Sequence, residues 1–372
     1  MKKKLSVFIF LFVISYGIIF QFFGTEGELH GVAAEAVKPD SYSGIMDGSW
    51  QSNMASYIDQ EMKLRSWMIP LRNQFVYSVF NTSTNADVVL GKDHILFEER
   101  YLTAETQITP PADDTYMNEL GNKLQLLKDK LQEKRIHLIV FITPSKAHIY
   151  PEAIPDLYLE LSPEEKSTSS YEKLLNKLDE KQIPYFDSIP YVFDLKETAA
   201  YPVYTKTGVH WSRVAAAIIA SKLMHQMEEE FSINLPDMVV EPILHTEALE
   251  PDRDLEELLN IWKGQNLDYY VPSVTFSDEE KDSISLMARG GSFMQTSVFT
   301  LASLGGVDSY YYMENTLLVD DGEISSFSGY EELDIQTELK NTDILLLEVN
   351  QEAIDRMSFG FIDYLLDSIL IQ

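Results

Sequence analysis

Residues 113–144 read DDTYMNELGNKLQLLKDKLQEKRIHLIVFITP, and this stretch decides the fold class. Its first part has apolar side chains at helical spacing, so it predicts an amphipathic helix over residues 113–134. These apolar residues are Met117, Leu120, Leu124, Leu127 and Leu131. Its second part is the short apolar run 136–142, which ends at Thr143 and Pro144 and is typical of a buried strand. A helix followed at once by a buried strand predicts an α/β fold.

The same alternation of helix and strand continues along the chain. Further strands are predicted at 183–186, 284–288, 307–313 and 343–349. Helices are predicted from Ser162-Pro163 to about 181, from Ser212 to about 231, after Ser292, and from about 350 to 369. This order indicates a mostly parallel sheet with helices on both faces. Ligands of such folds bind at the carboxyl ends of the strands, so the site is expected there.

The amino-terminal segment has the composition of a membrane anchor. Three lysines (residues 2–4) precede 19 uncharged residues, 5–23, which as a helix would span roughly 28 Å. We expect an uncleaved single-pass transmembrane helix at residues 1–23. A cleaved signal peptide is the alternative, but its best A-x-A site (34–36) lies about ten residues too late. Positive charge before the apolar run places the bulk of the chain outside the cytoplasm in either case.

The remaining chain divides into two parts. Residues 24–85 are interpreted as a tether followed by a helical lead-in, with the helical pattern over 51–80. Residues 86–372 form the predicted α/β domain, which opens with a strand, a turn and a second strand over 86–97. We expect this second part to contain the functional site.

Composition excludes several functions. The chain has 29 basic and 59 acidic residues, a formal net charge of −30, and no cysteine. Nucleic acid is therefore not an expected partner, since its backbone needs a basic face. Without cysteine, the chain cannot form a disulfide, a thiolate metal site or a cysteine nucleophile. None of the histidines forms a metal-binding pattern, and no nucleotide-binding glycine motif occurs, so neither a metal nor a cofactor is expected.

Ser292 is the first candidate for chemistry. It follows the predicted strand 284–288 in the sequence Arg289-Gly290-Gly291-Ser292 and opens a predicted helix. A serine at this position is exposed, and the free amides of the first helical turn can stabilise an oxyanion. The alternative is a glycine-rich turn in which the serine caps the helix.

His210 is the second candidate, because it stands directly before a predicted helix. An imidazole there can take a serine proton and return it later. Its neighbour Trp211 is expected in a pocket wall. A histidine that only packs or bonds within a loop is the alternative.

The segment after the strand 136–142 is the third candidate. It contains Ser145 and Lys146 at the same predicted edge of the sheet, and both are predicted pocket residues, as is Gly291 beside Ser292. Lys146 would either meet an anionic group or lie in solvent. Together with Arg289 it is the expected source of any local basic patch.

Four segments in order resemble a known family. They are VVLGKDHILF (88–97), FITPSKAHIYPE (141–152), YTKTGVHWSRVAA (204–216) and ARGGSF (288–293). Their sequence and order resemble the SGNH-hydrolase-like domain of the alginate O-acetyltransferases AlgJ and AlgX, over roughly residues 86–350. The resemblance implies an SGNH-hydrolase-like fold for the domain. It also implies that Ser292 is the nucleophile and His210 the base.

Two positions depart from the family pattern. Gly208 stands where the family has the aspartate that orients the histidine, and Gly291 stands where it has the aspartate of G-D-S. In serine proteases, disabling the orienting aspartate lowers the rate by about 10⁴. Asp187, which ends a predicted strand, is a substitute by position only. Another carboxylate or a carbonyl that orients His210, a slow Ser–His dyad, and a domain without catalysis all remain open.

The resemblance implies an extracytoplasmic polysaccharide O-acetyltransferase that works through an acetyl-serine intermediate. It further implies that a multi-span membrane acyltransferase supplies the acetyl group, and that residues 5–23 hold the domain beside it. Two alternatives stay open: a carbohydrate acetyl esterase with the same residue pair, and a membrane-tethered subunit that binds or assembles polysaccharide without catalysis. The net charge of −30 disfavours a strongly anionic polymer.

Overall fold

The computed structural model describes residues 2–31, 38–39, 42–249, 251–277, 282–294, 297, 307–313, 316–318, 324–326, 332 and 334–370. The chain forms two compact units. The first is Met1–Leu90 with Asp254–Asn266, and the second is Gly91–Arg253 with Leu267–Gln372.

The helices and strands have the following bounds. The strands are β1 (Val88–Leu90), β2 (Leu96–Glu98), β3 (His137–Thr143), β4 (Tyr185–Asp187), β5 (Met238–His245), β6 (Tyr269–Phe276), β7 (Ile284–Arg289), β8 (Val307–Met313), β9 (Thr316–Leu318), β10 (Ile324–Ser326) and β11 (Ile344–Asn350). The helices are α1 (Lys2–Phe23), α2 (Ser49–Glu61), α3 (Arg65–Phe80), α4 (Glu99–Glu105), α5 (Asp114–Glu133), α6 (Lys146–Ile149), α7 (Asp156–Leu161), α8 (Ser170–Glu180), α9 (Ile189–Thr198), α10 (Arg213–Phe231), α11 (Asp254–Leu258), α12 (Ile335–Lys340) and α13 (Phe361–Leu370).

The first unit contains α1, α2, α3, β1 and α11. The predicted helical stretch 51–80 is two helices, α2 and α3. Two contacts join α3 to the segment Asp254–Asn266 of the same unit. Asn73 donates from Nδ2 to the Leu259 carbonyl at 2.8 Å, and the centres of the Trp67 and Trp262 rings lie 6.3 Å apart. In the part of the chain that is described, no helix combines the length and apolarity that a bilayer span needs. The transmembrane helix predicted at residues 1–23 is therefore not shown.

The second unit is built on a mostly parallel sheet, as predicted. Over the described residues its strands lie in the order β10-β9-β8-β7-β11-β3-β4. The pairs β8-β7, β7-β11, β11-β3 and β3-β4 are parallel, whereas β8-β9 and β9-β10 are antiparallel. The strands β7, β11 and β3 therefore bring their carboxyl ends to one edge, side by side.

The centre of this sheet is apolar on both faces. Every residue of β11 is buried, as is all of β3 except His137, and such runs are typical of strands covered on both sides. The apolar stripe of α5 packs with α8 and α13 against one face. On the other face, Trp211, which precedes α10, stacks on Phe141, and Phe231, the last residue of α10, stacks on His137. Helices on both faces confirm the predicted architecture.

Local differences from the predicted elements have local causes. The helix predicted from Ser162-Pro163 was placed too early, because Ser169 and Glu172 form a reciprocal capping box that starts α8 at Ser170. The antiparallel pair of β5 and β6, and the helix α9, were not predicted. By contrast, Ser212 caps α10 as expected, accepting a hydrogen bond from the Ala215 amide.

Candidate active site

Ser292 lies at the carboxyl edge of the sheet. The strand β7 ends at Arg289, the chain passes Gly290 and Gly291, and residues 292–294 are helical. The amide of Met294 donates to the Gly291 carbonyl at 3.1 Å, which closes the first turn. This strand-to-helix junction leaves the Ser292 side chain partly exposed.

His210 reaches the same edge from the connection before α10. The Ser212 amide donates to the Val203 carbonyl at 2.7 Å, and Trp211 bridges to Tyr204, so the two residues after His210 are held against residues 203–204. The Nε2 atom of His210 lies 2.7 Å from Ser292 Oγ, within hydrogen-bond distance. The structure thus brings together the two residues that the sequence singled out. This is the contact that a serine nucleophile and its general base require.

Phe293 packs against His210 on the interior side of the Ser292–His210 pair. Its ring centre lies 4.9 Å from that of His210 and 5.9 Å from that of Trp211. Trp211 itself is 1% exposed, and therefore the prediction that it forms a pocket wall was wrong. It belongs to the core under the pair, where a large ring fills the space between α10 and the sheet.

Glu348 lies beside Ser292, and sequence reasoning did not find it. It stands on β11 and is 2% exposed. Its Oε2 accepts the Gly291 amide at 2.7 Å, and its Oε1 accepts the Thr143 hydroxyl at 2.5 Å. Burial raises the pKa of Glu348, although these two bonds and the positive charges of a protonated His210 and of Arg289 act in the opposite direction. The carboxyl therefore stands where an aspartate at position 291 would extend.

Gly208 occupies a position without room for a side chain. A Cβ atom there would lie 2.6 Å from the Pro251 carbonyl oxygen and 3.0 Å from that of Asp252. The Asp252 carbonyl is held in place by the hydroxyls of Thr205 and Thr207, at 2.6 and 2.8 Å. The backbone of a neighbouring loop thus fills the space that the side chain of the family's orienting aspartate would need.

Asp187 was the sequence-based substitute for the orienting acid, and its contacts place it elsewhere. Its Oδ2 accepts the Tyr171 hydroxyl at 2.5 Å, and its Oδ1 accepts the Ile189 amide at 3.0 Å. Its strand β4 lies three places from β7 in the sheet. The interpretation of Asp187 as the partner of His210 was therefore wrong.

Ser145 and Lys146 were predicted pocket residues, but both are interior. Ser145 is 0% exposed and caps α6 by accepting the His148 amide. Lys146 is 2% exposed and donates to the Leu96 carbonyl at 3.0 Å. Arg289 is also fully buried, with its guanidinium over the Phe359 ring. The expected basic patch near these residues is accordingly not on the surface.

A cleft of about 170 Å³ opens at the nucleophile and is called here the Ser292 cleft. Its lining includes Gly291, as predicted, and several residues that sequence reasoning missed: Arg100, Tyr101, Asn350, Arg356 and Phe359. Arg100 is paired with Glu98 at 2.5 Å and donates to the Tyr101 hydroxyl at 3.2 Å. Two arginines at its rim can meet an anionic or carbonyl-rich acyl donor.

Signals for some missed residues existed in the sequence. Glu348 is an acid inside the apolar run LLLEVN, and Asn350 ends that run. Polar residues at the carboxyl end of a buried parallel strand are expected at the ligand edge. Arg100 carried no such signal, because only the three-dimensional fold brings α4 to this edge.

Comparison with known proteins agrees with this geometry. The family model of the SGNH hydrolase-like domain of acetyltransferase AlgX matches residues 88–297. This match covers more than half of the chain, and the chain belongs to that family. The SGNH-hydrolase-like α/β fold with its parallel sheet is thereby established.

Similar proteins include probable alginate O-acetylases AlgJ. The one from Pseudomonas fluorescens is 23% identical over 192 residues, which is 51% of this chain and 45% of that protein. The one from Pseudomonas aeruginosa is 22% identical, covering 52% and 46%. The chain thus spans less than half the length of these relatives.

The chain also aligns with two solved structures. The O-acetyltransferase domain of Pseudomonas putida AlgJ aligns with a TM-score of 0.47 at 15% identity, over 76% of this chain and 99% of that one. Pseudomonas aeruginosa AlgX aligns with a TM-score of 0.47 at 17% identity, over 79% and 69%.

Proposed function

We propose that this chain transfers acetyl groups to hydroxyls of a polysaccharide outside the cytoplasm. The observation that carries the proposal is the 2.7 Å contact between His210 Nε2 and Ser292 Oγ at the mouth of a cleft. Membership of an acetyltransferase family supports it. The relatives' names specify alginate, whereas for this chain we propose only a polysaccharide, since its net charge of −30 opposes a polyanion.

The reaction proceeds in two half-reactions. In the first, His210 takes the Ser292 hydroxyl proton while Oγ attacks the acetyl carbonyl of the donor, and the proton then goes to the departing donor group. The acetyl group is now an ester on Ser292. In the second, His210 takes the proton of a sugar hydroxyl, whose oxygen attacks this ester. Ser292 leaves and recovers its proton from His210.

Surrounding groups stabilise the charges that develop. The negative oxygen of each tetrahedral intermediate meets the amides of the helix start at Ser292. The Gly291 amide is already bonded to Glu348, so it is not one of these donors. Glu348 accepts hydrogen bonds from the Gly291 amide and the Thr143 hydroxyl, so it fixes the turn that presents Ser292 to His210.

Covalent labelling tests the nucleophile. A sulfonyl fluoride should modify the intact chain at Ser292 and leave Ser292→Ala unmodified. Ser285→Ala is the matched control, because this serine bonds Asp343 only through its backbone atoms on the same strand β7. In the native host, Ser292→Ala should abolish acetylation of the polymer. Unchanged acetylation would exclude a catalytic serine at this position.

The alternative without catalysis has one specific support, the blocked position at Gly208. It predicts a chain that binds polysaccharide and is never labelled at Ser292. The esterase alternative differs only in whether water or sugar reaches the acetyl-serine. Release of acetate from an activated acetyl ester, measured with and without acceptor glycan, distinguishes transfer from hydrolysis.

The proposed location follows from the sequence alone. We propose that the apolar residues 5–23 anchor the chain in the membrane, beside a multi-span acyltransferase that supplies acetyl groups. Alkaline phosphatase fused after residue 90 should be active in the host, since it folds only outside the cytoplasm. Inactive, fully expressed fusion protein would refute this orientation.

A further inference from the structure

A second and larger cleft lies at the same edge of the sheet. It has a volume of about 480 Å³, within the range of roughly 300–1,000 Å³ that is usual for ligand sites. We call it the Glu105 cleft. Its lining includes Glu105, Gln107, His148, Tyr171, Gln351 and Glu352. None of these residues takes part in the chemistry proposed for Ser292.

The two clefts are joined by one segment of chain. Asn350 and Ala353, after β11, line the Ser292 cleft, whereas Gln351 and Glu352 line the Glu105 cleft. His148 follows β3, the neighbour of β11 on the side opposite to β7. A polymer lying along the carboxyl edge of the sheet would therefore meet both clefts in turn.

Two acidic side chains face each other in the Glu105 cleft. Burial and the charge of Glu105 raise the pKa of Glu352 to about 8. Burial also acts to raise the pKa of Glu105, but the hydrogen bond and charge of His148, whose Nδ1 lies 2.9 Å from Glu105 Oε2, lower it overall. Near neutral pH the pair thus holds one negative charge and one proton, which Glu352 donates to Glu105.

Gln351 supplies an acceptor without a partner. The residue is 3% exposed, and its Nε2 donates to Glu352 Oε1 at 3.1 Å. Its Oε1 is buried and has no hydrogen-bond partner among the described residues. An unpaired buried carbonyl is costly, so a ligand that donates a hydrogen bond to it would be stabilised.

We propose that the Glu105 cleft binds an uncharged, hydroxyl-bearing sugar residue of the acceptor polysaccharide, next to the residue acetylated at Ser292. The identity of the ligand as acceptor rests on the proposed function. A sugar hydroxyl donates to the Gln351 Oε1, which satisfies this buried acceptor. A carboxylate on the sugar would instead meet the negative charge of Glu105, and the cleft therefore selects against polyuronates.

Local cations do not reverse this selection. Lys166 is the lysine of the cleft lining, and its Nζ donates to the Glu105 carbonyl at 3.2 Å. Glu172 and Asp355 add further negative charge to the lining. The uncharged ring of Tyr171, held by Asp187, offers an apolar surface against which a sugar can pack.

Calorimetric titration of the full chain tests the proposal, in the Ser292→Ala background so that no turnover occurs. The probes are uncharged tetramers of β-1,4-glucan, β-1,4-mannan and β-1,6-linked N-acetylglucosamine, with tetramannuronate as the charged comparison. At least one uncharged tetramer should bind saturably and more tightly than tetramannuronate. Hydrogen exchange should show protection of residues 104–112 and 350–355 by that tetramer.

Variants assign the binding to the cleft. Glu352→Leu should weaken it about tenfold, because Glu105 and the Gln351 amide group then lose the partner that holds them in place. Glu352→Gln keeps a neutral donor and should stay within about threefold. Glu338→Leu is the control, a half-buried acid on α12 that lines neither cleft, and should bind like the parent. Circular dichroism checks that each variant is folded.

Three results would overturn the proposal: no binding of any uncharged tetramer, tighter binding of tetramannuronate, or unchanged affinity in Glu352→Leu. Failure of the proposed function is recognised separately, by absence of sulfonyl labelling at Ser292 in the unsubstituted chain. Titration in the Ser292→Ala background is independent of that labelling.

Discussion

Gly208 and Gly291 both stand where the family pattern has an aspartate, but their surroundings differ. Beside Gly291 the space is open: an added Cβ would lie 3.6 Å from Glu348 Oε2, an ordinary contact. Beside Gly208 the space is filled by the Pro251 carbonyl oxygen, 2.6 Å from the same added atom. Neither glycine is among the described residues with positive φ, so space rather than backbone conformation separates the two positions.

This difference shows two ways in which a site can lose an acid. At Gly291 the carboxyl is relocated, since Glu348 on the adjacent strand β11 bonds the glycine amide. At Gly208 the position is closed by a loop that Thr205 and Thr207 fix through the Asp252 carbonyl. Near Ser292, a carboxyl is therefore still present, supplied by Glu348 of β11. At Gly208, by contrast, a single substitution to aspartate cannot restore the partner of His210, because the space is filled.

The largest effect is expected from Gly208→Asp, which restores the family residue. Its side chain would collide with two backbone carbonyls and bury a charge, so the free energy of unfolding should fall by about 3–5 kcal/mol. Denaturant unfolding measures this, and sulfonyl labelling of Ser292 should not become faster. A stable variant with faster labelling would contradict the difference between the two glycines, because it would show that the loop at 251–252 can move to admit the side chain.

Glu348→Leu should have the next largest effect. It strands the Gly291 amide and the Thr143 hydroxyl, with an expected loss of about 2 kcal/mol of stability and slower labelling of Ser292. Glu348→Gln keeps an acceptor and should lose less of both. Equal labelling rates in all three proteins would show that the relocated acid has no part in the chemistry.

Glu352→Gln extends the comparison to a second acid, two residues after the end of β11, through the pH dependence of the free energy of unfolding. The pKa of Glu352 is raised in the folded chain from 4.5 to about 8, so its stabilising contribution is present below pH 4.5 and is lost as the pH rises through 8. Glutamine cannot ionise. The variant should therefore match the parent near pH 5 and become the more stable protein by pH 9 in denaturant titrations. Constant differences over this range would exclude the shared proton.

The smallest effect is expected from Gly291→Ala, with Gly208→Ala as its matched partner. The first adds a methyl group at ordinary contact distance and should change the free energy of unfolding by less than about 0.5 kcal/mol. The second should cost about 1–3 kcal/mol, because the neighbouring carbonyls must move. Thermal unfolding of the two variants compares them directly, and equal costs would contradict the difference in space.

The sequence predicted the parallel sheet and the Ser292–His210 pair because their signals are local. Apolar runs such as 136–142 and glycine-rich strand ends are visible in a few residues, and family motifs fix their order. Glu348 and the closure of Gly208 were not predictable in this way. Each depends on a contact with a residue more than 40 positions away, Gly291 in one case and Pro251 in the other. The start of α8 was missed for a different reason. The chain offers two possible helix starts, Ser162-Pro163 and the capping box of Ser169 and Glu172, and the structure uses the second.

Phe293 joins the reactive serine directly to the interior. The residue is 2% exposed and its ring meets those of Tyr101, Tyr204, Trp211 and His210. The side chain next in sequence to the nucleophile is thus one of the central pieces of the aromatic packing under the site. Loosening of that packing would move both reactive groups at once, so the geometry of the pair is maintained or lost together with the cooperative folding of its domain.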